Sequence, residues 1–210
     1  MPRKLIQTGS KLGRGFYEQD AESLARALVG TLLIRRKNGT TYRARIVETE
    51  AYVGPQDLAC HSSRGLTPRT QVMFGPPGRA YVYFIYGMYD MFNIVSGPPG
   101  SGQAVLIRAA EPLDGWDANL SGPGRLTRAM QITREDNGID LTDDSLFLLG
   151  RDGSRPRIGR AKRVGVDYAK EWKDALLRFY DLDSKAVSKP RPVPPGLADD
   201  EVRNRSGTRE

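Results

Sequence analysis

Two glutamates stand two residues apart in the segment 48–52, which reads ETEAY. If this segment is a β-strand, its period of two places Glu48, Glu50 and Tyr52 on one face. Two carboxylates this close repel each other, so we expect one of them to have a basic partner or another role. A carboxylate at the end of a half-buried strand, ahead of a loop, is suited to act as a general base. The alternative is an edge strand whose acids face solvent and contribute only solubility.

A lone histidine, His61, lies in the segment 57–62, which reads DLACHS. Together with Asp57 and the two glutamates, His61 could form a carboxylate-rich metal site, but the spacing matches no ligand signature. A structural histidine, held by hydrogen bonds in a loop, explains the residue equally well. Cys60 beside it suggests a thiol nucleophile as a further alternative, although neighbouring residues on a chain usually point apart.

Aromatic residues are concentrated in residues 80–93, which hold four of the nine tyrosines. Tyr81 and Tyr83 share one face of a predicted strand, which suits stacking on a flat ligand. Tyr86 and Met88 fall at the tip of the predicted hairpin, where such side chains are costly to leave in water. Insertion between stacked bases would account for them. Alternatively, the tip folds back on the body of the protein as ordinary core.

Basic residues surround this aromatic segment. Residues 61–110 contain a single acid and four arginines, namely Arg64, Arg69, Arg79 and Arg108. Arginines near an aromatic platform are suited to binding backbone phosphates of a nucleic acid. Arg108 ends an apolar strand and should have a carboxylate or phosphate partner, because an unpaired buried charge is costly. Arg125 follows Ser121-Gly122-Pro123 at a predicted helix start, where phosphates bind. A solvated basic face remains the alternative for all of them.

The overall composition limits the class of protein. A chain of 210 residues with 39 % hydrophobic residues is sufficient for one domain with a proper core. Its net charge of +7 favours a polyanionic partner. One cysteine excludes an intrachain disulfide and fits a reducing compartment. Neither a secretion signal nor an apolar run long enough to span a bilayer is visible. We therefore expect a cytoplasmic protein without a membrane partner.

Local patterns predict the elements that carry these residues. Asp20 caps a helix over 21–29, which Gly30 ends. Asn38-Gly39 joins two strands in a hairpin. The full set of predicted strands is 31–36, 41–51, 80–85, 90–96, 103–110, 146–149, 164–166 and 177–182, with a second helix over 124–132. Residues 55–77 form a long connection rich in turn residues, and loops of this length in a compact domain are usually functional or disordered. We expect one domain over 1–184, and a flexible tail of mixed charge over 185–210.

Ten motifs in order resemble those of the alkyladenine (3-methyladenine) DNA glycosylase family in its short form. They are ETEAY at 48–52, ACHS at 59–62, TPR at 67–69, MFGPPG at 73–78, YVYFIYGM at 81–88, NI at 93–94, IRAAEP at 107–112, SGPGRL at 121–126, RVGV at 163–166 and RFY at 178–180. The resemblance covers residues 20–182. It implies an α/β (α+β) fold, with a curved, mostly antiparallel sheet, flanking helices and a protruding β-hairpin.

The resemblance also implies a function. Proteins of this family excise alkylated or deaminated purines from double-stranded DNA, such as 3-methyladenine, 7-methylguanine, ethenoadenine and hypoxanthine, with no metal, no other cofactor and no lyase step. A small single domain acting on one damaged base suggests a monomer, and the short form of the family implies a nucleoid-associated protein of a bacterium.

Site residues follow from the same motifs. Glu50 matches the general base, and Arg108 matches the residue that holds the attacking water and a nearby phosphate. The damaged base is expected to contact Tyr52, Ala59, His61, Tyr83 and Asn93, where Asn93 limits guanine. Tyr86 matches the intercalating wedge, and the other expected DNA contacts are Met88, Tyr81, Arg69 and Arg125.

Two other functions stay open on the residues alone. A non-catalytic RNA-binding module would account for the tyrosines, the arginines and the net charge, but not for a carboxylate beside an aromatic pocket. A metal-dependent nuclease would use the acids and His61, and its activity would vanish in EDTA.

Overall fold

The computed structural model describes residues 9–85 and 87–192. Within these ranges the chain forms one antiparallel sheet of eight strands, flanked by helices. The helices are α1 (Arg14–Tyr17), α2 (Ala21–Leu28) and α3 (Pro123–Ala129). The strands are β1 (Leu32–Lys37), β2 (Thr40–Tyr52), β3 (Ala80–Ile85), β4 (Tyr89–Ser96), β5 (Gln103–Pro112), β6 (Leu146–Leu149), β7 (Ile158–Ala161) and β8 (Arg178–Asp181). The predicted α+β class, with a single compact domain around a curved antiparallel sheet, is confirmed.

Strand β2 is the centre of the sheet, whose order is β3-β4-β5-β2-β1-β6. One edge of β2 pairs with β5 along most of its length. The other edge pairs first with β1 and then, over residues 48–50, with β8, whose far edge pairs with β7. The register with β5 shifts on both sides of Glu48, as at a β-bulge. The segment that carries both glutamates is thus enclosed by strands on both edges, and the edge-strand interpretation is wrong.

Two local sequence signals, a helix cap and a tight turn, are present in the structure at the predicted residues. Asp20 accepts a hydrogen bond from the Ser23 amide at 2.9 Å and begins α2. Asn38 and Gly39 have φ angles of 51° and 75°, the left-handed pair that a tight hairpin between β1 and β2 requires. Both predicted hairpins and their strands are present, with bounds that differ by one or two residues.

Other predictions differ from the structure. Residues 164–166 do not form a strand: 164 and 165 are a bend, and the Val164 amide donates to the Glu50 side chain and not to a neighbouring strand. Strand β7 was not predicted, since its segment IGRA lacks a strand pattern. Helix α3 ends at Ala129, before the predicted residue 132. The loop 55–77 contains two short 3₁₀ helices, His61–Arg64 and Gln71–Phe74.

Strand alternation separates two apolar clusters on opposite faces of the sheet. The main core lies under α2 and α3, and from β3, β4 and β5 it takes Val82, Phe92, Ile94, Val105 and Ile107. Neighbouring residues on the same strands point to the other face of the sheet. Together with two residues from the loop 55–77 they form a second cluster, namely Tyr81, Val95, Ala104, Cys60 and Met73. The second face is the one that carries the predicted base-binding residues.

The first eight residues of the predicted tail are described. Within 185–192, Val187 and Ser188 lie against the body of the protein and are 5 % and 2 % exposed. Buried polar groups near Glu48 hold them there, as described below. The rest of the predicted tail lies outside the described residues. Among the helices that the structure describes, none has the length and apolar character needed to cross a bilayer.

Candidate active site

A cavity of about 270 Å³ opens on the second face of the sheet, between the strand ends of β2–β5 and the loops that hold residues 59–61 and 164–168. This is near the lower end of the usual range for small-molecule sites, roughly 300 Å³. Its lining brings together the predicted catalytic arginine and the five predicted base contacts: Arg108, Tyr52, Ala59, His61, Tyr83 and Asn93.

The Glu50 carboxylate lies directly behind the wall of this cavity and is fully buried. Its Oε1 accepts a hydrogen bond from the Val164 amide at 2.8 Å and faces Arg108 Nη1 at 3.3 Å. Its Oε2 accepts a hydrogen bond from the Tyr52 hydroxyl at 3.0 Å. Val164, Tyr52 and Arg108 all line the cavity, so the three groups that hold the carboxylate also form part of the cavity wall.

Arg108 lies between the two glutamates and removes their repulsion. Its Nε donates to Glu48 Oε1 at 3.2 Å, while its Nη1 faces Glu50. Burial lowers the pKa of this guanidinium, but the Glu50 and Glu48 carboxylates more than offset the effect, so its pKa is raised overall. Arg108 is therefore a permanent cation beside Glu50. The expectation of a buried carboxylate partner for Arg108 is confirmed.

Glu48 has a different environment from Glu50. Its Oε1 accepts hydrogen bonds from Arg178 Nε at 2.5 Å and from the Ser188 hydroxyl at 3.0 Å, in addition to Arg108. Its Oε2 accepts from the Ser188 amide at 2.6 Å. Glu48 does not line the cavity, and these four donors occupy both of its oxygens. Its role is to hold Arg108, Arg178 and the segment 185–192 together.

Tyr52 has the cavity on one side and the guanidinium of Arg163 on the other, with Arg163 Cζ 4.8 Å from the ring centroid. Arg163 is buried and forms a two-point ion pair with Asp57 at 2.5 and 2.9 Å. It also donates to the Ala51 carbonyl at 2.9 Å. Burial, followed by the charge of Glu50, raises the pKa of the Tyr52 phenol. Tyr52 thus keeps the proton that it donates to Glu50.

The Asp57 carboxylate shapes the loop that follows β2. Besides Arg163, it accepts the Ala59 amide at 3.0 Å, and so fixes the start of the cavity-lining turn. Both oxygens of Asp57 are thus bonded to Arg163 and to the loop, and not to the groups that hold the two glutamates or His61. Across residues 9–85 and 87–192, no group of three or more His, Cys, Asp or Glu residues could hold a metal ion. The residues of the alternative metal site, Glu48, Glu50, Asp57 and His61, are therefore not brought together as ligands.

His61 is held in the cavity wall by its aromatic neighbours. Its Nδ1 lies 2.9 Å from the Tyr81 hydroxyl, and its ring centroid lies 4.5 Å from that of Tyr83. Burial, with the nearby charges of Arg69 and Arg64, lowers the pKa of His61 to about 4. His61 is therefore neutral at pH 7. Because Tyr81 occupies Nδ1, only Nε2 is left to offer a base edge one donor or one acceptor.

Tyr81 was expected to contact DNA, but its position does not fit that role. The residue is only 2 % exposed and its hydroxyl is bonded to His61, because the loop 55–77 covers this face of β3. Its place in the structure is that of a support for His61. Tyr83, two residues along the same face, has Arg69 Cζ 5.3 Å from its ring centroid. Burial raises the pKa of the Tyr83 phenol, which stays protonated.

Asn93 presents one end of its carboxamide to the cavity. Its Nδ2 donates to the carbonyl oxygens of Tyr81 at 3.1 Å and Met91 at 3.3 Å. The backbone of the hairpin thereby fixes which way the amide points. Asn93 is 3 % exposed. It lies on β4, where it pairs with Leu106 of the neighbouring strand β5.

The remaining predicted DNA contacts lie at the surface. Met88, at the tip of the β3–β4 hairpin, is 59 % exposed, so the tip does not fold back into the core at this residue. Arg69 and Arg125 are exposed, and Arg125 Nη1 donates to the Ser121 carbonyl at 3.2 Å. Tyr86, the predicted wedge, lies outside the described residues.

Sequence reasoning missed several residues that build the site. Nothing in a local pattern indicates that the Val164 amide holds Glu50, that Arg163 lies behind Tyr52, or that Ser188 reaches Glu48. The motif RVGV at 163–166 was a usable signal, because it belongs to the resemblance, yet it was interpreted as a strand. Cys60 lines the cavity and burial raises the pKa of its thiol, which does not fit an activated nucleophile.

The chain is similar to known proteins over most of its length. Residues 15–185 match the family model described as methylpurine-DNA glycosylase (MPG). A protein of Anaeromyxobacter dehalogenans (strain 2CP-1) is 49 % identical over 90 % of this chain and 89 % of its own length. One from Legionella pneumophila (strain Lens) is 49 % identical over 85 % and 98 %, and one from Myxococcus xanthus 47 % identical over 86 % and 95 %. All three bear the name "Putative 3-methyladenine DNA glycosylase". The chain therefore belongs to the methylpurine-DNA glycosylase family, hydrolases that act on DNA.

Proposed function

We propose that this protein excises alkylated or deaminated purines from double-stranded DNA by hydrolysing the N-glycosidic bond, and leaves an abasic site without cutting the strand. The substrate class includes 3-methyladenine, 7-methylguanine, ethenoadenine and hypoxanthine. One observation carries the proposal: a buried carboxylate, Glu50, lies against a cavity lined by Tyr52, Tyr83 and His61.

A base inside a duplex is out of reach of such a cavity, so the nucleotide must rotate out of the helix. This step costs a few kcal/mol of pairing and stacking, and least for damaged pairs. Tyr86 offsets part of the cost by filling the gap that the nucleotide leaves. The exposed Met88 beside it supports a tip that contacts DNA. Arg69 and Arg125 bind backbone phosphates near the damaged nucleotide.

The rotated purine lies between Tyr52 and Tyr83, with His61 at its edge. Alkylation of a ring nitrogen makes some of these bases cationic, and a cation over an aromatic face gains roughly 0.5 to 2 kcal/mol. Neutral His61 recognises the base edge without adding a repelling charge. Ala59 leaves room beside the base. Asn93 opposes an exocyclic amino group at the purine 2-position, which disfavours normal guanine.

Glu50 accepts a proton from a water molecule as that water attacks the anomeric carbon of the sugar. Its negative charge also stabilises the positive charge that develops on the sugar as the base departs. Arg108 helps to hold the water and a neighbouring phosphate. Among the described residues, Glu50 Oε2 has a single hydrogen-bonding partner, Tyr52, which leaves it acceptor capacity for water.

A duplex with one hypoxanthine tests the proposal. We expect incubation with the protein in EDTA, followed by alkali, to break the strand only at the hypoxanthine, and no break without alkali. An undamaged duplex of the same sequence is the control. Breakage without alkali that EDTA abolishes would indicate the nuclease instead, and binding of RNA without any base release would indicate the RNA-binding module.

The wedge has its own test. We expect Tyr86→Ser to lower the single-turnover excision rate, because the gap left by the rotated nucleotide is no longer filled. A hypoxanthine placed in an unpaired position should be affected less, since less pairing is lost there. Unchanged rates on the paired substrate would contradict the wedge assignment.

A further inference from the structure

The last described segment, residues 185–192, reaches the buried cluster around Glu48. Ser188 is 2 % exposed, and each of its polar groups is hydrogen-bonded. Its amide donates to Glu48 Oε2 at 2.6 Å, and its carbonyl accepts from Arg178 Nη2 at 3.0 Å. Its hydroxyl lies 3.0 Å from Glu48 Oε1, to which it donates. The segment is therefore fixed at this point by charged partners on the sheet.

The same hydroxyl also contacts Arg108. Arg108 Nη2 donates to Ser188 Oγ at 3.2 Å, and Arg108 Nε lies 3.4 Å from it. A hydroxyl has one proton to donate and two lone pairs. The proton of Ser188 goes to the Glu48 carboxylate, and its lone pairs face the guanidinium. Ser188 thus bridges the anion that anchors Arg108 and a second nitrogen of Arg108 itself.

These contacts divide the guanidinium of Arg108 among three partners. Nε faces Glu48, Nη2 faces Ser188, and Nη1 faces Glu50 at 3.3 Å. A guanidinium is a rigid plane, so fixing two of its nitrogens fixes the direction of the third. With Glu48 alone, the group would be held at one edge and could tilt about that contact. The Ser188 hydroxyl removes this freedom and directs Nη1 at Glu50.

We propose that Ser188 is a positioning residue for the hydrolytic step, so that the segment 185–192 is part of the active site. The proposal rests on the proposed function, in which Arg108 and Glu50 act on the attacking water. Ser188 does not line the cavity of about 270 Å³ and acts only through Arg108. Its removal should therefore slow the reaction without weakening the binding of damaged DNA.

Ser184 offers a matched control in the same segment. Its hydroxyl donates to Glu111 Oε1 at 2.5 Å, and the residue is 8 % exposed. Ser184→Ala therefore removes a buried hydroxyl that is bonded to a carboxylate, as Ser188→Ala does, but none of its hydrogen bonds reaches Arg108 or Glu50. A purely structural contribution of the segment should appear in both variants alike.

The experiment measures single-turnover excision of hypoxanthine over a range of enzyme concentrations. We expect Ser188→Ala to lower the rate at saturation about tenfold relative to Ser184→Ala, as for a lost hydrogen bond to a charged group. The half-saturating enzyme concentration should stay within about twofold of the wild type. The thermal midpoints of the two variants should be similar.

Equal saturating rates in the two variants would overturn the proposal. So would a slower Ser188→Ala whose defect is removed by raising the enzyme concentration, because this would show a loss of binding. If Ser188→Ala does not fold, Ser188→Cys replaces it in the same comparison, since the thiol fills the place of the hydroxyl with a somewhat larger group and forms weaker hydrogen bonds.

Glu50→Gln, measured alongside, separates this proposal from the function on which it rests. If the wild type releases no base, or if Glu50→Gln is as fast as the wild type, then the proposed function fails. If Glu50→Gln is inactive while Ser188→Ala and Ser184→Ala are equally fast, the proposed function stands and the role of Ser188 fails.

Discussion

The two glutamates of β2 define two contrasting regions of the molecule. Around Glu48 the protein itself supplies every partner, since Arg108, Arg178 and Ser188 occupy both carboxylate oxygens. Around Glu50 the protein supplies fewer donors, and those donors also form the wall of the cavity. The residue type, the strand and the burial are the same. The difference is the acceptor capacity that the fold leaves unused, and this separates a structural carboxylate from a candidate general base.

The largest effect is expected from Glu50→Gln. The variant keeps the shape of the side chain but cannot accept a proton from water, so the single-turnover excision rate should fall by about 10²- to 10⁴-fold. Affinity for a duplex with hypoxanthine, measured by fluorescence anisotropy, should change little. A parallel loss of rate and affinity would mean that Glu50 builds the cavity and does not act on water.

Glu48→Gln should act mainly on stability. It leaves two buried guanidinium groups, Arg108 and Arg178, with less countercharge, and breaking a buried ion pair costs about 3 to 5 kcal/mol. The free energy of unfolding in urea should fall by this order. Glu111→Gln is the matched control, because the Glu111 side chain is 34 % exposed and its pair with Arg45 is screened, so a change below about 1 kcal/mol is expected. Similar losses in both variants would remove the distinction between the two regions.

Tyr52→Phe removes one donor from Glu50 and keeps the aromatic ring. Loss of a hydrogen bond to a carboxylate is expected to lower the saturating excision rate about tenfold, with binding retained through the ring. The rate and the half-saturating enzyme concentration in single turnover measure the two effects separately. If the affinity falls while the saturating rate does not, the hydroxyl contributes to binding the base and not to holding Glu50.

The smallest effect concerns pH. The pKa of His61 is lowered from 6.5 to about 4 in the folded protein. Its stabilising contribution, which depends on the neutral ring, is therefore complete above pH 6.5. This contribution decreases as the pH falls from 6.5 towards 4, because the unfolded chain takes up the proton first. At pH 5.5 the loss should be about 1 kcal/mol. His61→Gln should lose correspondingly less stability between pH 7.5 and 5.5 in urea unfolding.

The excision rate provides a second readout for the same residue. His61 is neutral between pH 5.5 and 7.5. The excision rate should therefore show no titration step of His61 near pH 6.5, and the pH profiles of the wild type and His61→Gln should have the same shape. A step at that pH, present in the wild type and absent from the variant, would show that His61 titrates at its ordinary pKa and contradict its burial.

Much of the fold could be predicted because its signals are local. The Asn38-Gly39 turn, the Asp20 cap and the alternation of Tyr81, Val82 and Tyr83 each depend on a few neighbouring residues. The bend at 164–166 could not be predicted in this way. Its short apolar sequence also fits a strand, and only contact with the side chains of β2 decides its conformation.

The candidate site shows the same division. The motifs indicated Glu50, Arg108 and the expected base contacts. The fold places Arg108 and the expected base contacts in the lining of one cavity, with Glu50 beside Arg108. The position of Tyr81 on β3 does not show how exposed the side chain is. The loop 55–77 covers it and brings His61 to its hydroxyl. Which residues a loop covers depends on the path of the chain, and strand periodicity carries no information on that path.

The sequence by itself determined the family, the pairing of strands through short turns, and the residue types available for hydrolysis. Only the tertiary structure decided which glutamate keeps free acceptor capacity, because that depends on partners distant in the chain. Ser188 reaches Glu48 across 140 positions, and the Val164 amide reaches Glu50 across 114. Such contacts arise when loops and segments from separate parts of the chain fold against the same strand, and no local pattern of residues encodes them.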